Sequence, residues 1–100
     1  MARETVEFKI IWTCESDAYI AFPVRPLYLE LRAFRLKLIR SNCGYELSQA
    51  TTALQRVLRL VDNVEITVYP NAHLMIKTKD ETLAKGIAGE LFEIIRNIEG

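Results

Sequence analysis

The stretch VEITVYPNAHLMIKTKDETLAKGIAGELFEII, residues 64–95, contains the strongest structural signals in the chain. Residues 64–69 alternate between apolar and polar side chains, which is typical of a half-buried strand, and residues 73–78 return as a second strand. Pro70 presets its φ angle and Asn71 tolerates unusual backbone angles, so this pair favours a turn. The stretch therefore predicts a β-hairpin.

A long helix is predicted to follow the hairpin. Thr78 and Glu81 have the spacing of a capping box, in which two side chains satisfy free backbone N–H groups at a helix start. The apolar residues after them recur at helical spacing. The predicted buried positions are Leu83, Ala84, Ile87, Ala88, Leu91, Ile94, Ile95 and Ile98.

The beginning of the chain predicts a second hairpin. Residues 5–13 alternate as a half-buried strand does, with Ile11 on the side that faces away from the core. Residues 14–18 are polar and favour a turn. Residues 19–23 then form a short strand that ends at Pro23, since proline has no N–H for a sheet ladder.

Residues 24–44 fit two structures. As a helix they place five apolar residues on one face, and Pro26 suits the first helical turn while Gly44 suits a cap at the end. Those five residues are Val24, Leu27, Leu31, Phe34 and Leu38. Residues 26–41 also alternate as a strand would, with a bulge at Ala33. We favour the helix, because most of these residues are good helix formers.

Residues 47–61 are predicted to form a further helix. Their apolar stripe consists of Leu47, Ala50, Ala53, Leu54, Val57, Leu58 and Val61. The predicted order of elements is therefore ββ-αα-ββ-α. We expect a single α+β domain over residues 1–100, with a four-stranded, mostly antiparallel sheet and the helices packed on one of its faces.

Composition narrows the possible functions. The 100 residues include 13 basic and 13 acidic side chains, so the net charge is zero and no strongly basic surface for nucleic acid is indicated. No signal sequence is recognised, and no apolar run approaches the roughly 18 residues of a membrane helix. We expect a cytoplasmic protein without membrane contact.

No arrangement of residues typical of catalysis or metal binding is found. His73 is the only histidine, and we interpret it as a residue at the tip of the second hairpin rather than a ligand or a base. Cys14 and Cys43 are too few for a disulfide framework or a four-cysteine zinc site. Whether these two cysteines meet is left open, and no cofactor is expected.

Arginines supply one candidate binding surface. On the helical interpretation they cluster on two adjoining helices, where their guanidinium groups match phosphate oxygens or an acidic partner. The residues are Arg25, Arg32, Arg35, Arg40, Arg56 and Arg59. This clustering supports an alternative hypothesis, a nucleic-acid-binding accessory domain.

A second apolar strip on the first predicted helix leads to the main hypothesis. Leu29, Ala33 and Leu36 lie outside the core stripe of that helix, where a helix buried on one side only has no use for them. Such a strip suits a partner. We therefore expect an interaction protein without enzymatic activity, acting as a homodimer or as a subunit of a complex, with this strip at the contact.

Residues 64–98 resemble the closing hairpin and helix of a TATA-box-binding-protein-like half-repeat. Tyr69 matches the aromatic residue before the turn of that pattern, His73 the basic residue after it, and Leu74 with Met75 the returning apolar pair. Ala72 stands where the family has a turn glycine. The resemblance implies the fold of this segment. It does not carry DNA binding across, because glutamates would lie on the open sheet face that the family uses.

Overall fold

The computed structural model describes residues 6–41 and 44–99. In chain order the elements are β1 (Phe8–Thr13), β2 (Ala18–Pro23), α1 (Leu31–Ser41), β3 (Tyr45–Ala50), β4 (Gln55–Arg59), β5 (Val64–Val68), β6 (Leu74–Ile76) and α2 (Glu81–Glu99). The six strands form one antiparallel sheet in the order β1-β2-β6-β5-β4-β3. The β1–β2 hairpin therefore joins a four-stranded meander at its last strand.

Both helices pack on the same face of the sheet. Alternate residues of the central strands point into this core, as the period of two in a strand requires. Phe34 of α1 and Phe92 of α2 are its largest buried side chains, and the Phe92 ring stacks on Phe8 of β1 with the ring centroids 5.1 Å apart. The buried sheet residues include Ala21, Val57, Val64, Ile66, Val68, Leu74 and Ile76.

Neither α1 nor α2 packs on the other sheet face, which we call the open face. The strand register places on it Lys9, Ile11, Ile20, Phe22, Arg56, Leu58, Glu65, Thr67 and Met75. Most of these side chains shield one another, and Thr67 is buried between its neighbours. Among the large apolar residues of this face, Ile11 is the one that stays more than half exposed.

The hairpins predicted at both ends of the chain are present as β1–β2 and β5–β6, and the last helix is present as α2. The start of α2 differs in detail from the prediction. Asp80, not Thr78, caps the helix, since its Oδ1 accepts a hydrogen bond from the Leu83 N–H at 3.1 Å. Thr78 acts one step earlier and accepts from the Asp80 N–H at 3.2 Å.

The predicted ββ-αα-ββ-α order and the four-stranded sheet are wrong. Residues 47–61 form no helix; they lie mostly in the β3–β4 hairpin, and the sheet has six strands. A turn at Thr51 explains this outcome. The Thr51 hydroxyl accepts from the N–H groups of Ala53 and Leu54, both at 3.1 Å, and thereby reverses the chain where the helical interpretation needed it to continue.

The first predicted helix begins later than residue 24. Residues 24–30 form an irregular linker, and α1 starts at Leu31 with Glu30 as its cap, whose Oε1 accepts from the Ala33 N–H at 2.8 Å. Pro26 is therefore not in a helical turn. The second half of the predicted apolar stripe is right, because Leu31, Phe34 and Leu38 are buried.

Candidate interaction surfaces

The six arginines of the predicted basic surface do not lie together. Arg32, Arg35 and Arg40 are on α1, and Arg25 is in the linker before it. The remaining two, Arg56 and Arg59, are on β4, three residues apart, so they point to opposite faces of the sheet.

Arg59 belongs to a polar network on the helix side of the sheet. Its Nη1 lies 2.5 Å from Asp62 Oδ2, and the neighbouring Tyr45 hydroxyl donates to Glu90 Oε1 at 2.6 Å. Partial burial lowers the pKa of Arg59, but Asp62, Tyr45 and Glu90 outweigh it, so the pKa lies above its ordinary value. This network connects β3, the β4–β5 turn and α2.

Arg35 connects α1 to the β3–β4 hairpin. Its Nε donates to Gln55 Oε1, and its Nη2 donates to the Thr51 carbonyl at 3.2 Å. Gln55 is buried, and its Nε2 donates to the carbonyls of Gln49 and Arg56 at 3.0 and 2.8 Å. Arg35 therefore donates two guanidinium hydrogen bonds to neutral groups of the fold, and among the described residues it forms no salt bridge.

The predicted strip of Leu29, Ala33 and Leu36 is divided by the fold. Leu29 is buried, and its N–H donates to the Pro70 carbonyl at 2.6 Å. Ala33 is half-buried, while Leu36 is 51% exposed. Of the three, Leu36 is the residue that remains well exposed for a partner.

The side of α1 that faces away from the core carries charge of one sign. The sequence of the helix, LRAFRLKLIRS, contains four basic residues and no acidic one. Leu36 and Ile39, which is 63% exposed, lie among these cations. We call Arg32, Leu36, Ile39 and Arg40 the outer face of α1.

A cleft of about 470 Å³ lies between the start of α1 and the β3–β4 turn. Its walls include Tyr28, Glu30, Arg32, Arg35 and Thr51. Both signs of charge are present, and the Glu30 carboxylate already caps the helix. The charges of the cleft therefore select no particular ligand.

His73 lies on the open face just after the β5–β6 turn. Its ring is tilted against Phe22, with the ring centroids 5.7 Å apart. The backbone N–H of His73 donates to Asn71 Oδ1 at 3.1 Å. Cys14 is exposed in the β1–β2 turn, while Cys43 lies outside the described residues. Over residues 6–41 and 44–99 we find no group of three or more metal-ligating side chains that could hold an ion.

The outer edge of β1 exposes two large apolar side chains. Ile11 is 53% exposed and Trp12 is 38% exposed, and they are consecutive residues of the strand at the end of the sheet. Successive side chains in a strand point to opposite faces. The two therefore leave apolar surface uncovered on both sides of the sheet at this edge.

Backbone groups along this edge also lack partners in the sheet. The Val24 N–H donates to the Glu7 carbonyl at 2.9 Å, so odd-numbered residues of β1 direct their N–H and C=O groups toward β2. The even-numbered residues Phe8, Ile10 and Trp12 consequently direct theirs outward. Beside β1, on the side away from β2, the described part of the chain places no strand.

The opposite edge of the sheet is protected in the way that natural edge strands usually are. β3 has a bulge between Leu47 and Gln49, and three of its four exposed side chains, Glu46, Ser48 and Gln49, are polar. Bulges and polar residues discourage pairing with another chain. β1 has one exposed charged side chain, Lys9, but no bulge, and it exposes Ile11 and Trp12, so the two edges of the sheet differ.

The sequence of β1 contains more apolar residues than an alternating strand pattern requires. Ile10, Ile11 and Trp12 are three apolar residues in a row, whereas a strand with one wet face needs only every second residue to be apolar. Ile11 was correctly assigned to the face away from the core. What the pattern could not indicate is that this strand lies at the edge.

Comparison with protein-family models, with curated proteins and with solved structures gave no match. These comparisons neither support nor contradict the resemblance of residues 64–98 to the TATA-box-binding-protein pattern. Within the described residues, neither helix has the length and apolarity that crossing a membrane requires.

Proposed function

We propose that the protein is an interaction protein that acts as a homodimer, in which two copies join by antiparallel pairing of their β1 strands. One observation carries the proposal: Ile11 and Trp12 are exposed together, on opposite faces of an edge strand that has neither a bulge nor a proline and, among the described residues, no strand on its outer side. A partner packed against either face would cover only one of them. A strand placed beside β1 covers both, and it also pairs the outward backbone groups of the edge.

A second copy of β1 fits this edge in one register particularly well. When the two-fold axis passes between Ile11 and the partner's Ile11, these residues cover each other on the open face, and Trp12 lies opposite the partner's Ile10 on the helix face. About four backbone hydrogen bonds then form between the outward groups of Ile10 and Trp12 and those of the partner. Lys9 lies opposite the partner's Thr13, so no like charges meet. A different register, in which Lys9 lies opposite the partner's Lys9, would bring two cations together.

A homodimer contact through Leu36 on α1 is less favourable than one through β1. A two-fold contact of α1 with itself would bring the four cations of each helix against the same four of the partner. Juxtaposed like charges at an interface cost several kcal/mol. The β1 edge has no such penalty. The nucleic-acid alternative loses its main support as well, because its six arginines lie on different sides of the molecule.

The contact is small, so we expect a dissociation constant on the order of 10 µM. Cys14 permits a direct test by chemical ligation, with residues 1–13 supplied as a synthetic thioester and residues 14–100 as recombinant protein. N-methylation of the Ile10 amide removes one outward N–H and leaves every side chain unchanged. Sedimentation velocity should show a dimer for the unmodified ligated chain and a monomer for the methylated one.

Two controls separate loss of pairing from loss of folding. The N-methyl-Ile10 chain should keep the melting temperature of the monomer, because the Ile10 N–H takes no part in the β1–β2 ladder. N-methylation at Ile11 instead removes an N–H that points toward β2, and it should destabilise the fold. A chain that stays monomeric up to about 200 µM, or a dimer that survives methylation at Ile10, contradicts the proposal.

A further inference from the structure

We propose that the outer face of α1 is a separate docking site for an anionic phospholipid surface. The first observation is the concentration of charge. α1 carries Arg32, Arg35, Lys37 and Arg40 without an acidic residue, whereas the rest of the chain has nine basic residues against thirteen acidic ones. A protein of zero net charge therefore presents one helix of charge +4 on a body that is net negative.

Within the described part of the chain, no acidic side chain forms a salt bridge with α1. The salt bridges of the described residues are those of Arg59 with Asp62, Lys85 with Glu81 and Arg96 with Glu93, none of them on α1. Arg35 donates to the neutral groups of Gln55 and Thr51. Arg32 and Arg40 are exposed, so their field is directed to solvent, where it attracts anions.

Apolar side chains lie within the same surface. Leu36 is flanked at helical spacing by Arg32 and Arg40, four residues before and after it, and Ile39 follows Arg35 by the same interval. Leu36 is 51% exposed and Ile39 63% exposed. Since Leu31, Phe34 and Leu38 anchor the opposite side of α1 in the core, the helix is fixed with this mixed face outward.

This combination favours a bilayer over other anionic partners. Nucleic acid would pair with the arginines but has no use for exposed leucine and isoleucine side chains. The outer surface of a helix is convex, which suits a broad membrane surface better than a peptide that needs a groove. At a bilayer interface the cations meet lipid phosphates, and the aliphatic side chains enter the boundary of the acyl chains.

Vesicle flotation tests the site directly, with phosphatidylcholine vesicles compared with vesicles containing about 30% phosphatidylserine. The protein should bind only the anionic vesicles. Arg32→Gln with Arg40→Gln should lower the partition coefficient about 25-fold, since each cation near such a surface contributes roughly fivefold. Leu36→Ser with Ile39→Ser should lower it about tenfold or more without any change of charge.

Matched variants elsewhere serve as controls. Lys79→Gln with Lys85→Gln removes the same charge from outside α1, and Leu60→Ser with Val61→Ser removes two exposed apolar residues from the β4–β5 turn, where Val61 is 80% exposed. Both control proteins should bind nearly as the parent does. Circular dichroism melts establish that all four variants are folded.

Three results would overturn the proposal. The first is no binding to the anionic vesicles at low salt. The second is an equal effect of the Leu36/Ile39 and Leu60/Val61 substitutions, which would show that the apolar side chains of α1 have no specific role in binding. The third is tighter binding of a single-stranded oligonucleotide that depends on the arginines but not on Leu36 and Ile39. The N-methyl-Ile10 monomer should still bind vesicles, so the two proposals fail independently.

Discussion

Replacing Ile11 by cysteine, in a chain whose Cys14 and Cys43 are both replaced by serine, should let two copies form a disulfide across the β1 edge. The register at Ile11 makes this residue and the partner's Ile11 a non-hydrogen-bonded pair, because the N–H and C=O of Ile11 point toward its own β2. In such pairs the Cα atoms are about 4.5 Å apart. That separation lies inside the range of about 4.4–6.8 Å that disulfides adopt.

Lys9→Cys in the same background is the matched control. Lys9 lies on the same face of the same strand and is also exposed. In the Ile11 register, however, it faces the partner's Thr13, four residues away along the strand from the partner's Lys9. At about 3.4 Å per residue the two introduced thiols would be about 14 Å apart, which no disulfide spans.

The assay is mild air oxidation followed by non-reducing electrophoresis, at concentrations above the expected dissociation constant. Ile11→Cys should convert largely to covalent dimer, and Lys9→Cys should not. Equal cross-linking of both variants would mean that the thiols meet by random collision, and it would refute the register. A non-covalent dimer in which Ile11→Cys fails to cross-link would refute the register while leaving self-association through β1 standing.

Three further predictions concern the fold that holds these surfaces in place, and urea unfolding measures each of them. Gln55→Ala should lower the free energy of unfolding by about 2–4 kcal/mol, because it removes a buried side chain and the hydrogen bonds that side chain makes, whereas Ala at the exposed Gln49 should change it by less than about 0.5 kcal/mol. Phe92→Ala should cost about 3–5 kcal/mol through the cavity it leaves beside Phe8, and a smaller loss would indicate that the core collapses around the site. Asn63 has φ 62°, so Asn63→Val should cost at least about 1 kcal/mol while Asn63→Gly should be nearly neutral; equal stabilities would contradict the left-handed geometry of this turn.

The two ends of the chain were predictable because several local signals agreed there. In residues 64–95 the alternation, the Pro70-Asn71 turn and the helical spacing all indicate the same structure, and the chain adopts it. Ala72 follows the turn with φ 67°, a conformation that usually favours glycine. The surrounding hairpin imposes it on alanine, since the Ala72 N–H donates to the Tyr69 carbonyl at 2.9 Å.

Residues 47–61 were not predictable by the same means, because their apolar residues fit a period of 3.6 as well as a pair of strands. The Thr51 turn and the pairing of β4 with β5 decide between the two, and the pairing is a contact made outside the segment. The candidate surfaces depended on this choice. Once the segment is a hairpin, Arg56 and Arg59 separate to opposite faces of the sheet.

The local sequence does not determine that β1 lies at an edge of the sheet. It follows from the pairing of β2 with β6, strands separated in the chain by α1 and three other strands. No property of residues 5–13 records that pairing. Composition could indicate an excess of apolar side chains in this strand, but only the strand order shows that the excess lies at a free edge.

The short strand β6 has a consequence for motion. β6 consists only of Leu74–Ile76, and within the described sheet it is the sole ladder between the β1–β2 hairpin and the β3–β4–β5 ribbon. The hairpin can therefore open as a unit by releasing one three-residue ladder and its side-chain packing, at less cost than global unfolding. A dimer held through β1 would tie two such hairpins together. Association should then slow amide hydrogen exchange at β2 and β6, strands that the partner never touches.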